Sequence, residues 1–139
     1  MAKFGQLHTR PHGTTPVEFA ITAPIAFLLF FGAYEFSRMN MVRHTMDIAA
    51  YEGAREGIVA GATAAEVTQR TNSMLSPVAV KDAVVTVTPT TINRDTPEVT
   101  VEIEVPIAPN SWITPQFLGD LRLRARSTLA REGFTNSNL

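Results

Sequence analysis

Sixteen consecutive residues without a formal charge, Phe19–Tyr34, constrain this chain more than any other feature. At 1.5 Å per residue an α-helix over them rises about 24 Å, and one over Val17–Phe36 rises about 30 Å, the thickness of a bilayer's hydrocarbon core. No 3.6-residue phase gives this segment a polar face, whereas a helix on the surface of a soluble protein needs one. The segment therefore reads as a membrane span. In a chain of 139 residues it leaves about a hundred for whatever the span tethers.

The flanks divide the chain into four expected regions. Residues 1–13 form a basic leader with Lys3, Arg10, His8 and His12, placed in the cytoplasm. Residues 14–37 form the transmembrane helix, residues 38–134 the domain that it tethers, and residues 135–139 a disordered tail. A secretory signal is the alternative for the leader and span. Signal peptidase needs small residues at −3 and −1 after the apolar run. Ala33 would have Phe31 at −3 and Ser37 would have Glu35, so neither fits. Charge counting gives no orientation, because Arg38, Arg43 and Arg55 beyond the span balance Lys3 and Arg10 before it.

Beyond the span the helical pattern continues. Residues Arg38–Ala60 contain no proline and are rich in Met, Ala, Glu and Arg, so one helix is expected from about Val17 to Ala60, with Pro24 kinking it. Gly53, Gly57 and Gly61 recur every fourth residue beside Ala50 and Ala54, a smooth stripe for close helix packing. Packing on the chain's own sheet is the simpler reading of that stripe, and contact with another subunit the alternative. Thr63-Ala-Ala-Glu66 is a capping box, which starts a second helix at Ala64 that runs to about Leu75, where Ser76-Pro77 stops it.

The period then changes to two. Val85 and Val87 alternate with Val84, Thr86 and Thr88; Val99, Val101, Ile103 and Val105 alternate with Thr100, Glu102 and Glu104. Leu121, Leu123 and Ala125 alternate with Arg122, Arg124 and Arg126, and these apolar residues are expected to face inward together. Pro89–Pro97 reads as a loop. Pro106–Pro115 reads as another, with a helical turn near Ile113–Leu118 and Trp112 as a core plug. The expected fold class is α+β: a long N-terminal membrane-spanning helix that continues into a small soluble domain with a second helix and a three- or four-stranded antiparallel sheet.

Little in the chain suggests catalysis. There is no cysteine, and hence no disulfide, thiolate zinc site or cysteine nucleophile. His44 stands alone on a helix, Ser111 and Ser127 have no glycine-elbow context, and no cofactor or metal site is expected. A net charge of −1 provides no field to attract nucleic acid, and the three arginines of the last strand are expected to pair with Glu102 and Glu104 across the sheet. No nucleic acid and no small-molecule substrate is expected as a partner.

The head of the apolar run carries one acid, Glu18, followed by Phe19. A carboxylate at a membrane edge is costly and needs a reason. It either marks where the helix leaves lipid or serves assembly. In the second reading cleavage after Gly13 leaves Thr14 with a free, positive α-amino group. Glu18, about one turn away, then pairs with that amine on a neighbouring subunit. A charge pair in low dielectric offsets part of the desolvation that each charge suffers alone.

The run Gly13-Thr-Thr-Pro-Val-Glu18-Phe19-Ala20, with Ala23-Pro24 and Gly32-Ala33-Tyr34-Glu35-Phe36-Ser37-Arg38, resembles the N-terminus of TadE/TadG-like pilus assembly proteins. The likeness is close over Gly13–Arg38 and looser through Ala49–Gly57 and Arg122–Glu132. Pro16, between glycine and glutamate, and Ser37, in place of a glycine, depart from the pattern. The resemblance implies a minor pseudopilin of the tight-adherence (Flp-type) pilus system in the bacterial inner membrane. It further implies a cut between Gly13 and Thr14 by a prepilin peptidase, a cytoplasmic leader and an extracytoplasmic domain. Partners would be other pilin or pseudopilin subunits and the pilus machinery, in secretion and adhesion. The competing expectation is a single-pass anchored binding domain that is never processed.

Overall fold

A computed structural model describes residues 14–111 and 120–131 of the chain. The expected leader, the turn near Ile113–Leu118, Trp112 and the tail lie outside the described residues. Two compact units are present, Met1–Tyr34 and Glu35–Leu139.

Helix α1 runs over Thr14–Gly57 and includes Pro24. It is already helical at Thr14, the first described residue, and ends three residues before the expected end. In the first unit, its side chains from Val17 to Tyr34 stay exposed or nearly so, and none of the most apolar window is buried. Thr22 Oγ1 donates to the Glu18 carbonyl at 2.8 Å, so this polar group is satisfied within the helix and does not need water.

The second unit is built on the later turns of α1, helix α2 (Ala64–Leu75) and three strands: β1 (Val84–Thr88), β2 (Glu98–Pro106) and β3 (Arg122–Ala130). Helix α2 starts where expected. Thr63 Oγ1 accepts from the Glu66 amide at 3.3 Å, and Glu66 Oε2 accepts from the Thr63 amide at 2.8 Å, a reciprocal capping box. The α2 residues Val67, Thr71 and Leu75, spaced every fourth, form its buried edge. A 3-10 turn, Ser76–Val78, follows it.

The strands lie in the order β1-β2-β3, antiparallel throughout, and among the described residues the sheet has these three strands. β2 is central, and Val99, Val101, Ile103 and Val105 are all at most 1% exposed. They form one core with Val42, Met46, Ala49, Ala50 and Ala54 of α1, Val67 and Leu75 of α2, Val87 of β1 and Ala125 of β3. Leu123 and Leu129 pack at its margin. Leu121 corrects the expected inward set. It precedes β3 and is 55% exposed, because it lies past Val105↔Leu123, the last apolar pair of the ladder.

Candidate membrane and assembly segment

The N-terminal turn of α1 is formed by Thr14, Thr15 and Pro16. Proline is harmless here, since the first-turn N–H groups have no partner inside a helix and the ring fixes φ at a helical value. Pro16 therefore fits at the start of the helix although it departs from the family pattern. Gly13, the glycine of the expected cut site, lies outside the described residues, while Thr14 is the first residue of the helix.

Glu18 follows one turn after Thr14 and is exposed, with Phe19 beside it at 71% exposure. Large apolar residues crowd the rest of this unit: Ile21, Ile25, Phe27, Leu28, Leu29, Phe30 and Phe31 are each at least half exposed. Phe19, Ala23, Ala26, Phe27 and Phe30 outline an apolar notch. A surface this apolar and this continuous is stable in lipid and costly in water, where each large side chain forfeits about 1.5–3 kcal/mol of burial. The segment has the length and composition of a single membrane span near the N-terminus.

The glycines of the expected packing stripe have different surroundings. A Cβ on Gly53 would stand 2.2 Å from Thr71 Oγ1, and one on Gly57 would stand 2.7 Å from Val99 Cγ1 and 3.2 Å from Val67 Cγ2. Both glycines are buried and let α1 approach α2 and β2 within the same unit. Gly61 is a correction. It lies beyond the end of α1, with φ at +90° and nothing within 4 Å of an added Cβ, so it is a turn residue outside the helix and takes no part in close packing.

The outer face of the sheet sets acids opposite arginines, and of the expected ion pairs those at Glu104 are formed. Glu104 stands opposite Arg124 and Glu102 opposite Arg126 in the β2–β3 register. Glu104 contacts Arg124 Nε at 2.9 Å and Arg122 Nη1 at 3.5 Å. Among the described residues no three His, Cys, Asp or Glu side chains are grouped as metal ligands would be.

Two residues that the sequence pattern did not single out hold the second unit's loops. Buried Asn110 accepts from the Lys81 amide at 2.7 Å and donates to the carbonyls of Lys81 at 2.9 Å and Pro106 at 2.8 Å. Its own carbonyl accepts from Arg38. Arg131 donates from Nε to the Ile58 carbonyl at 3.1 Å, from Nη2 to Val59 at 3.3 Å, and from Nη1 to Asn93 at 2.8 Å. A cation on the carbonyls just past the end of α1 also complements the negative end of the helix. A lone asparagine after a proline and an arginine closing a strand are the only sequence traces of either role.

Residues 13–55 match the model of a family described as TadE-like proteins. The match takes in Gly13, Glu18, the whole apolar run and the turns of α1 that enter the core. No curated protein and no solved structure matches the chain significantly.

Proposed function

We propose that this chain, TadE-like over residues 13–55, is a minor pseudopilin that acts as a membrane assembly subunit in tight-adherence (Flp-type) pilus biogenesis and secretion. One observation carries the reading: the family match over residues 13–55 takes in Glu18 and the exposed apolar run of α1, which has the length and composition of a membrane span. A prepilin peptidase cuts between Gly13 and Thr14 at the cytoplasmic face of the inner membrane. The leader stays inside and the second unit lies outside. The subunit has no catalytic role; it contributes a span and a domain to an assembly of related subunits.

In this reading the exposed Glu18 carboxylate receives the α-ammonium group of Thr14 from a neighbouring subunit as both enter lipid. Neither charge is then left alone in a low dielectric, where an unpaired ion costs several kcal/mol. The apolar notch around Ala23 and Ala26 gives a neighbouring span a place to seat a side chain.

The test is the mature N-terminus. With the peptidase present, mass spectrometry of the membrane-extracted protein should find Thr14 first, and retention of the Lys3–Arg10 leader on assembled protein would overturn the processing. In the same system Glu18→Ala should leave insertion and cleavage intact and reduce pilus assembly at least about tenfold, as loss of a desolvated charge pair implies. Unchanged assembly would make Glu18 a marker of the lipid edge only.

A further inference from the structure

We propose that the free edge of β3 is a docking site for an extended partner segment in which acidic and apolar residues alternate. The inference is independent of the pilus reading and rests on the ladder geometry of the second unit.

The Arg131 amide donates to the Pro97 carbonyl at 2.8 Å, and the Ile107 amide donates to the Leu121 carbonyl at 2.9 Å. Both pairs continue the β2–β3 register, in which Val99 faces Leu129 and Val105 faces Leu123. In an antiparallel ladder every second pair exchanges its N–H···O bonds, and the residues between direct theirs away from the partner strand. The odd-numbered residues of β3 therefore bond to β2. The even-numbered ones, Arg122, Arg124, Arg126, Thr128 and Ala130, turn their backbone donors and acceptors to the free edge. Among the described residues no strand lies on that side.

The residues that offer the backbone are the same ones that carry the charge. An antiparallel guest would meet them as directly opposed pairs, with its alternate side chains beside the three guanidinium groups. Arg124 and Arg122 already share one carboxylate, Glu104, and the other acids of β2 on this face, Glu102 and Glu98, stand opposite Arg126 and Ala130, so the side of the arginines turned to the free edge has no acidic strand beside it among the described residues. The guest's other side chains would extend the inner face, where Leu123 and Leu129 are only half-buried. β2 itself shows which sequence β3 accepts: Glu102-Ile-Glu104-Val105 puts acids on the arginine face and apolar groups on the core.

Other occupants fit less well. A second copy paired antiparallel over the whole of β3 sets Arg126 against Arg126, and like charges directly opposed repel. Residues 112–119, WITPQFLG, contain no acid, and residues 132–139, EGFTNSNL, contain a single one. Strand addition at a sheet edge takes its affinity from the main chain and its specificity from alternate side chains, which is what this edge presents.

The probe is a fluorescent peptide with the sequence of β2, Glu98–Pro106, titrated by anisotropy against the full chain in mild detergent. It should bind saturably. Replacing the peptide's glutamates by lysine should weaken binding about tenfold or more, as reversing several opposed cross-strand pairs implies. Arg126→Glu, checked for an unchanged melting curve, should recover part of the lysine peptide's loss. A peptide N-methylated at alternate amides keeps its charges and loses one hydrogen-bonding edge, and it should not bind. Equal binding of the N-methylated peptide would reduce the site to a diffuse basic patch and overturn strand addition. No binding of the acidic peptide would leave the arginines as charges that keep the edge from aggregating. Binding only after removal of residues 132–139 would make the chain's own tail the occupant, and the proposal would fall.

Discussion

At Gly53 the backbone of α1 comes so close to α2 that one methyl group has no room. The nearest atom to an added Cβ, Thr71 Oγ1 at 2.2 Å, belongs to a buried β-branched side chain whose hydroxyl is tied to the Val67 carbonyl at 2.8 Å. It cannot swing aside cheaply, as the far end of a lysine could. Alanine is the better helix former by about 1 kcal/mol, but overpacking a core costs about 1–3 kcal/mol, and here the second effect should win. Gly53→Ala should lower stability by about 1–2 kcal/mol in thermal or urea unfolding of the detergent-solubilised chain. Thr71→Ala removes the clashing oxygen, so the double variant should be clearly more stable than the sum of the two losses. Additive losses would mean that the two residues do not meet.

At the scale of the element, each strand is specified by its alternation and each helix by its ends. A one-residue slip of β2 would bury Glu102 and Glu104 and expose four residues that are at most 1% exposed. Ile103→Ala should cost about 2–5 kcal/mol as a cavity in the core, and Arg124→Ala, on an exposed pair, less than about 1 kcal/mol. Melting curves of the two variants should preserve that order, and the reverse order would invert the sheet's faces. The capping box of α2 adds a pH dependence. The Thr63 amide and then the Thr63 hydroxyl hold the Glu66 carboxyl below its ordinary value of 4.5. A depressed acid contributes stability above its unfolded pKa and loses it as pH falls through the folded one. The advantage of the wild type over Glu66→Gln should therefore be full at pH 6 and fade below about pH 4.5. A gap between the two melting temperatures that does not change with pH would show that the carboxylate plays no part. These elements were legible because their signals are local: a capping box, a change of period, a proline stop. Leu121 and Gly61 misled for a related reason. A repeat gives phase but not where an element ends, so Leu121 continued an alternation that had passed the core, and Gly61 continued a four-residue spacing after the helix had closed. Asn110 and Arg131 could not be read at all, because each acts through backbone carbonyls far away in sequence, whose positions no spacing encodes. Of the candidate assembly segment, the span and Glu18 were legible from charge spacing alone.

For the molecule as a whole, the division at Tyr34 separates two ways of satisfying apolar surface. The first unit leaves its large side chains exposed, as a candidate membrane span does. The second unit buries a core of its own, with α1, α2 and all three strands contributing, and every core residue from Val42 to Ala125 lies after the division. Its stability should therefore be independent of the span. A chain that begins at Glu35 should be recovered in the soluble fraction and melt cooperatively within a few degrees of the full-length protein, since a change under about 1 kcal/mol moves a domain of this size by about 4–8 °C at most. The complementary variant, Leu28→Arg in the full chain, places a charge at the centre of the span at a cost of about 2.5–3.5 kcal/mol on insertion scales. It should shift protein from the carbonate-resistant membrane pellet to the supernatant without altering the melt of the second unit. If the shortened chain aggregates or melts without cooperativity, the second unit depends on the span and the chain folds as one body. If Leu28→Arg stays fully in the pellet, residues 14–34 are not what holds this protein to the membrane.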